Sequence, residues 1–306
     1  MSTKKTSENL PELIGRQTEL GQIRACLKAQ RNVLLEGPVG VGKTHLALAV
    51  TRELGLPIFR VDGDSRYTEQ KLAGWFDPPT VIKKGFSAES FMPGPLVEAM
   101  KTGGILFINE FNRLPEGVQN ILLPAIDERL IIVPRLGEIR AASGFLVIAT
   151  QNPKEFVATS HLSEAILDRF ELVVLDYQTE SEEQAIVATR LLGQLGAKKI
   201  PVTPEFLSKA CVRLIRVTRT HPRVRRGASI RAALSIAEIS SVLMQQGTPF
   251  EKAFLTAALM ALPTRMEIER EAEADTSYHS EMESLVKEFA QSALSDLDGD
   301  NEKKKS

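Results

Sequence analysis

Short apolar runs alternate with stretches of helical periodicity up to about residue 178. Each run is bounded by polar or turn-forming residues, as is typical of buried strands. Strands that alternate with helices in this way predict an α/β fold, in which helices cover a parallel sheet. The predicted strands are Asn32–Leu35, Ile58–Val61, Ile105–Ile108, Phe145–Thr150 and Leu172–Leu175.

After Tyr177 the pattern is helical throughout, and no further strand is predicted. The sequence therefore predicts an α/β domain over residues 10–178 and a small all-helical domain over residues 179–268. The predicted helices of the second domain are Glu180–Leu192, Pro204–Val217, Ser229–Gln245 and Phe250–Leu262.

Both ends of the chain are polar. Residues 1–9 are predicted to be disordered. Residues 269–306 are rich in charge and are predicted to form a disordered tail, in which Ser284–Leu297 has the pattern of a short amphipathic helix.

The composition is that of an ordinary globular chain, with 43% hydrophobic residues and a net charge of −1. The near-zero charge argues against a polyanionic partner. No apolar run approaches the roughly 20 residues that a membrane span requires. The two cysteines, Cys26 and Cys211, fit neither a disulfide framework nor a metal site. These features predict a cytoplasmic protein without membrane insertion.

The segment GPVGVGKT fits the phosphate-loop pattern G-x-x-x-x-G-K-[ST] and is followed by a helix-periodic segment, His45–Leu54. Glycines allow backbone N–H groups to wrap a phosphate, and the helix N-terminus adds its positive dipole end. Lys43 is predicted to reach the β- and γ-phosphates of ATP, and Thr44 to bind Mg²⁺. The predicted nucleotide-binding residues are Gly37, Pro38, Val39, Gly40, Val41, Gly42, Lys43, Thr44 and His45.

Hydrolysis also requires an acidic group at the end of a second strand. The run Ile105–Ile108 is followed by Asn109 and Glu110. Glu110 is predicted to be the catalytic base. Asn109 is predicted to hold Mg²⁺ through a water, but its amide lacks the charge of the usual Asp, so Asp at this position is predicted to bind Mg²⁺ more firmly. Asn152 is predicted to position the attacking water, with a strand-ending cap as the alternative.

Two arginines complete the predicted catalytic set. Arg169 suits a finger that reaches the γ-phosphate of a neighbouring subunit, and a surface ion pair with Asp168 is the alternative. Arg231 lies in the first turn of a helix whose N-cap is Ser229, where a cation opposes the helix dipole, so it is predicted to sense the nucleotide.

The run from Lys209 to Arg231 contains eight Lys or Arg and no acid. It is interpreted as a solvated helix face, a subunit interface or a nucleic-acid surface.

Together these motifs resemble the MoxR-type AAA+ ATPases over roughly residues 10–270. The resemblance implies a P-loop αβα sandwich with a helical lid, binding of ATP and Mg²⁺, and assembly into homo-oligomeric rings, usually hexamers. It makes Glu110 the catalytic base, Asn152 the first sensor, Arg169 the finger acting in trans and Arg231 the lid sensor. It rests on GPVGVGKT (37–44), NEFNRLPEGVQNILLPAIDER (109–129), VIATQNP (147–153), LDRF (167–170) and TRTHPRVRRGASIRAAL (218–234).

The resemblance also extends to less regular segments. Glu128–Ile139 has the turn chemistry of a β-hairpin and matches the hairpin that precedes the family's first sensor. Phe76–Phe91 falls where the family carries an insertion that faces the ring pore or a partner. Two positions depart from the family pattern, Asn109 in place of Asp and Ile230 in place of Pro.

For function, the resemblance implies chaperone-like remodelling of a protein substrate. Many relatives act with a von Willebrand factor A partner in the maturation of metal-cofactor enzymes. Two alternatives stay open. The first is an ATP-binding switch with little hydrolysis, which Asn109 favours. The second is a nucleic-acid motor, which the basic run favours and the near-neutral net charge opposes.

Overall fold

The computed structural model describes residues 13–152, 162–196, 199–269 and 277–303. The chain divides into two compact units, Met1–Asp176 and Tyr177–Ser306. The division lies two residues before the domain boundary that the sequence predicts. The predicted disordered segment, residues 1–9, lies outside the described residues.

Five parallel strands form the main sheet of the first unit, in the order β2-β5-β8-β1-β9. They are the five strands that the sequence predicts, with ends shifted by no more than two residues. The strands of this unit are β1 (Asn32–Glu36), β2 (Ile58–Asp62), β3 (Gly74–Phe76), β4 (Phe91–Pro93), β5 (Ile105–Asn109), β6 (Leu130–Val133), β7 (Gly137–Arg140), β8 (Leu146–Gln151) and β9 (Phe170–Val174).

Helices flank this sheet and bury its central strands. Every residue of Ile105–Ile108 is buried, as is every residue from Leu146 to Thr150. Strands covered on both faces read as continuous apolar runs, which is why the sequence located them so well. The helices are α1 (Gln17–Lys28), α2 (Lys43–Glu53), α3 (Glu69–Ala73), α4 (Pro78–Lys84), α5 (Pro95–Thr102), α6 (Glu116–Asn120), α7 (Leu122–Asp127) and α8 (Glu164–Leu167).

Two small antiparallel ribbons project from the helical connections. The pair β6–β7 is the predicted hairpin, which is confirmed. The pair β3–β4 encloses α4 in the segment that the sequence marked as an insertion, where Trp75 faces Met92 across the ribbon. Both of these side chains are about half exposed.

The second unit is mainly helical, but it also contains a two-stranded antiparallel ribbon, so the prediction that strands stop after Tyr177 is wrong. The ribbon strands are too short to give a period-2 pattern. The elements of this unit are α9 (Glu180–Leu195), α10 (Pro204–Thr220), β10 (Val224–Arg226), α11 (Ile230–Gln245), α12 (Phe250–Ala261), β11 (Glu267–Ile268) and α13 (Tyr278–Lys303).

The predicted disordered tail is also wrong over residues 277–303. Helix α13 is 26 residues long, about twice the predicted short helix, and its apolar face is part of the core of the second unit. The charged residues misled the prediction because they occupy the solvent side of an amphipathic helix. The buried residues of α13 are Met282, Leu285, Val286, Phe289, Ala290, Ala293 and Leu297.

Across the described part of the chain, no helix combines the length and apolar character needed to cross a membrane.

Candidate functional site

The phosphate-loop segment connects β1 to α2 at the carboxyl edge of the main sheet. Gly40 and Gly42 have φ angles of 83° and 93°, which side chains rarely adopt, so glycine is required for this turn. Gly42 is the N-cap of α2 and makes no side-chain cap. The first N–H groups of α2 therefore face the loop without intrahelical partners, which is the arrangement that binds anions.

Lys43 is the first residue of α2, and its ammonium group folds over the loop. Nζ donates to the backbone carbonyls of Gly37 at 2.6 Å and Pro38 at 2.9 Å. The loop thus holds a half-buried positive charge beside the N-terminus of α2. This charge can bind phosphate oxygens by exchanging weak carbonyl partners for anionic ones.

Thr44, Asn109 and Thr150 form one hydrogen-bonded cluster from three different elements. The hydroxyls of Thr44 and Thr150 donate to Asn109 Oδ1, at 3.0 and 3.1 Å. The structure therefore brings together the two residues that the sequence assigned to Mg²⁺. Hydroxyl and amide oxygens are hard donors of the kind that Mg²⁺ prefers, so this donor set fits the metal.

Asp62 ends β2 and joins the same cluster. Asn109 Nδ2 donates to Asp62 Oδ1 at 3.1 Å, and the two residues are direct partners in the β2–β5 register. Asp62 was not among the predicted site residues. The rule that identified Asn109 and Asn152, a polar residue at the carboxyl end of a parallel strand, would have found it.

Glu110 follows β5 with φ 57° and ψ 56°, a left-handed conformation unusual for glutamate. Its N–H donates to Thr150 Oγ1 at 2.9 Å, and its carboxylate forms an ion pair with Arg113 Nε at 3.2 Å. A Cβ at Gly63 would lie 2.0 Å from the Glu110 carbonyl oxygen, so this turn requires glycine beside it. These contacts fix the Glu110 backbone, and the side chain is 40% exposed to solvent.

Asn152 follows β8 directly and is buried, with 8% of its surface exposed. Strands β5 and β8 are parallel neighbours, with Ile108 opposite Ala149, so Asn152 lies at the same edge of the sheet as Asn109. Pro153, which ends one of the resembling segments, is outside the described residues.

Arg169 lies at the opposite edge of the sheet. It precedes β9, and its carbonyl accepts from Asn32 Nδ2 at the amino end of β1. Its guanidinium pairs with Asp127, which raises the pKa of Arg169. The ion-pair partner is Asp127 and not Asp168, which the alternative interpretation named. The structure therefore does not bring Arg169 together with the phosphate loop of its own chain.

In the second unit, α11 begins at Ile230 with Ser229 as its N-cap, as predicted. Arg231 is exposed in the first turn, and it makes no hydrogen bond or ion pair with the described residues.

The basic run around it is largely paired within the unit, an arrangement that none of the three interpretations included. Five of its eight cations lie in ion pairs with Glu180, Glu183, Glu267 and Glu281: Arg213, Arg216, Arg219, Arg223 and Arg225.

Residues 32–170 match the family model of the AAA domain, dynein-related subfamily. The first unit is an AAA domain. The match begins at β1, spans the phosphate loop, the Asn109 cluster and Glu110, and ends at the start of β9. The whole site at the carboxyl edge of the sheet therefore lies inside the AAA domain.

The chain also belongs to a family of bacterial proteins of similar length. It is 30% identical over 266 residues to an uncharacterized protein of Staphylococcus epidermidis, covering 84% of this chain and 93% of that protein. An uncharacterized protein of Staphylococcus aureus is 30% identical over 259 residues, with 84% and 92% covered.

Solved structures show the same fold at low identity. The Thermotoga maritima RuvB Holliday junction branch migration motor is 18% identical, with a TM-score of 0.53, and the match covers 81% of this chain and 70% of that one. NtrX from Brucella abortus, in complex with ADP, is 18% identical, with a TM-score of 0.58 and coverage of 92% and 64%. The predicted P-loop AAA+ fold, with its helical C-terminal part, is confirmed.

Proposed function

We propose that this protein is an AAA+ ATPase that binds and hydrolyses ATP with Mg²⁺ in the AAA domain. The cluster of Thr44, Asn109 and Thr150 carries the proposal, because it joins the phosphate loop to the end of β5, which Glu110 follows. Lys43 would bind the β- and γ-phosphates, Thr44 would bind Mg²⁺ directly, and Asn109 would hold Mg²⁺ through a water. The metal, when bound, would neutralise charge on the phosphate oxygens.

Glu110 is the proposed base. Its backbone is fixed by Thr150 and its carboxylate is solvent-accessible, so it can accept a proton from a water that attacks the γ-phosphate. Arg113 pairs with this carboxylate and orients it. Asn152, at the same edge, is proposed to position that water through its amide.

The experiment is Mg²⁺-dependent phosphate release from ATP by the full chain. Glu110→Gln should retain ATP binding and lose about 10²–10⁴-fold in turnover, because an amide cannot act as a base. Glu116→Gln makes the same change at an exposed position of α6 and should keep wild-type turnover. Equal turnover in the wild type and Glu110→Gln would contradict hydrolysis by this residue.

We further propose that the chain acts as a MoxR-type remodelling ATPase in the cytoplasm, in a homo-oligomeric ring such as a hexamer. Arg169 would reach the nucleotide of a neighbouring subunit, and Arg231 would sense the nucleotide from the helical unit. The exposed, unpaired state of Arg231 supports this role, since a cation in a first helical turn is stabilised by an anion. The proposed ATPase would act on a protein substrate or on a von Willebrand factor A partner.

One observation favours a second candidate, an ATP-binding switch with little hydrolysis. Asn109 brings no charge of its own to the metal. A full chain that binds Mg²⁺ and ATP tightly, yet turns over no faster than Glu110→Gln, would support the switch. Nucleic acid is a weaker candidate, because five of the eight cations in the basic run are paired within the unit.

A further inference from the structure

We propose that Asp62 supplies the negative charge that the Mg²⁺ side of this site lacks at position 109. The inference rests on the proposed function, because it concerns how the same site holds Mg²⁺ and ATP. It assigns a role to a residue on the neighbouring strand that no motif marks.

The hydrogen bonds of Asn109 divide between its two amide atoms. Oδ1 accepts from the hydroxyls of Thr44 and Thr150, and Nδ2 donates to Asp62 Oδ1 at 3.1 Å. An amide can accept on one side and donate on the other, whereas an ionised carboxylate can only accept. A carboxylate at position 109 would stand at this distance from a second carboxylate, and two like charges so close cannot both ionise cheaply.

The pair therefore carries one negative charge, and Asp62 bears it. Asp62 and Asn109 are direct partners in the parallel register of β2 and β5, so their side chains leave the sheet at the same level. The amide transmits the effect of the carboxylate, since a donor polarised by an anion is a better acceptor at its other end. Asn109 Oδ1 thus becomes a stronger hydrogen-bond acceptor than an isolated amide for the metal-bound water that it would hold.

Two neighbours bear on the strength of this charge. Arg60 donates to both carboxylate oxygens of Asp62, but both side chains are about half exposed, and exposed ion pairs are weak. Tyr67 is half-buried nearby, and its pKa is raised by burial and, to a smaller degree, by the charge of Asp62.

The arrangement suits Mg²⁺, which binds few protein oxygens directly and keeps several waters. Groups one hydrogen bond behind a ligand orient it and commonly change metal affinity by 10–100-fold. Asn109 would stand in that position behind a metal-bound water, and Asp62 fixes the orientation and the charge of Asn109. This reverses the expectation from sequence alone that Asp at position 109 would bind Mg²⁺ more firmly.

The test exchanges the two residues. Binding of a fluorescent ATP analogue is titrated with Mg²⁺ in the wild type, Asp62→Asn, Asn109→Asp and the double variant with both changes. Asp62→Asn should raise the half-saturating Mg²⁺ concentration about tenfold, the low end of the range for such partners. Asn109→Asp should give no tightening and a lower Tm. The double variant should return the half-saturating Mg²⁺ concentration to within about twofold of the wild type and should recover the lost Tm.

Asp64→Asn is the matched control. It removes the same charge two residues away, from a carboxylate that accepts from the Arg66 N–H, and should shift the Mg²⁺ midpoint less than about twofold. An unchanged midpoint in Asp62→Asn would overturn the inference, as would a double variant no better than Asp62→Asn. If the wild type binds no nucleotide at any Mg²⁺ concentration, the proposed function itself fails, whereas binding that ignores Asp62 overturns this inference alone.

Discussion

Arg169 donates through Nε to both carboxylate oxygens of Asp127, at 2.7 Å each. This pair lies at the amino edge of the sheet, while the phosphate loop follows the carboxyl end of β1. A five-residue strand separates its two ends by about 13 Å, which is more than an arginine side chain can span. Arg169 can therefore act on a nucleotide only from a neighbouring subunit, or else it holds structure through Asp127.

Mixing two inactive variants separates these roles. Arg169→Ala and Glu110→Gln should each lose turnover and keep ATP binding. In a mixed ring, an intact Glu110 site meets an intact Arg169 at some interfaces, so part of the activity should return. The measurement is phosphate release at several mixing ratios. Co-assembly is checked by co-purification of one variant with the other, tagged variant.

Arg140→Ala is the control for this experiment, because Arg140 is an exposed arginine that pairs only weakly with Glu138 on the hairpin. It should keep full turnover. Arg169→Lys should not restore activity, since lysine lacks the bidentate fork. Mixtures as inactive as either variant, despite co-assembly, would leave Arg169 with a structural role.

Lys43→Ala should weaken ATP binding by at least about tenfold, because the loop loses the ammonium that lies over its carbonyls. Its Tm should fall by only a few degrees, since each lost hydrogen bond to a carbonyl contributes roughly 1 kcal/mol. Isothermal titration with ATP gives the affinity. Lys28→Ala, at the exposed C-terminus of α1, is the control and should bind as the wild type. Unchanged affinity in Lys43→Ala would show that the loop does not bind the nucleotide.

Arg219→Ala should destabilise the second unit by about 3–5 kcal/mol, the cost of breaking a buried ion pair. Arg219 donates to Glu183, which is 2% exposed, and to the Ala228 carbonyl just before α11, and it lies over the Tyr177 ring. Urea unfolding gives the free energy. Arg190→Ala removes an exposed pair and should cost less than about 1 kcal/mol. Equal costs in the two variants would contradict a buried network at the start of α11.

Phe289→Ala should cost about 3–5 kcal/mol, because Phe289 is a large side chain buried in the core of the second unit and contacts His221 edge-on. Lys287→Ala, two residues away on the exposed side of α13, should change stability by less than about 0.5 kcal/mol. Thermal unfolding of both variants measures the difference. A Tm of Phe289→Ala equal to that of Lys287→Ala would show that α13 does not belong to the core.

The sheet and the phosphate loop could be predicted because their signals are local. Central strands read as apolar runs, and the loop pattern is fixed by the backbone chemistry of phosphate binding. The contact of Asn109 with Asp62 could not be read in the same way, because it depends on the order of strands in the sheet. The ion pairs of Glu183 with Arg216 and Arg219 join α9 to α10, and they could not be predicted either, because they depend on how these helices pack. The full length of helix α13 and its place in the core were not predicted, because its charges outnumber the apolar positions that pack it.

The left-handed backbone at Glu110 lowers the stability of the fold at the residue that is proposed to act as the base. A β-carbon in this conformation costs roughly 1–2 kcal/mol, a cost that glycine does not carry. A screen that selects only for thermal stability should therefore favour the substitution Glu110→Gly, and it would enrich proteins that fold better while lacking the proposed base. Stability and turnover consequently have to be scored together whenever this chain is engineered or its relatives are ranked by robustness.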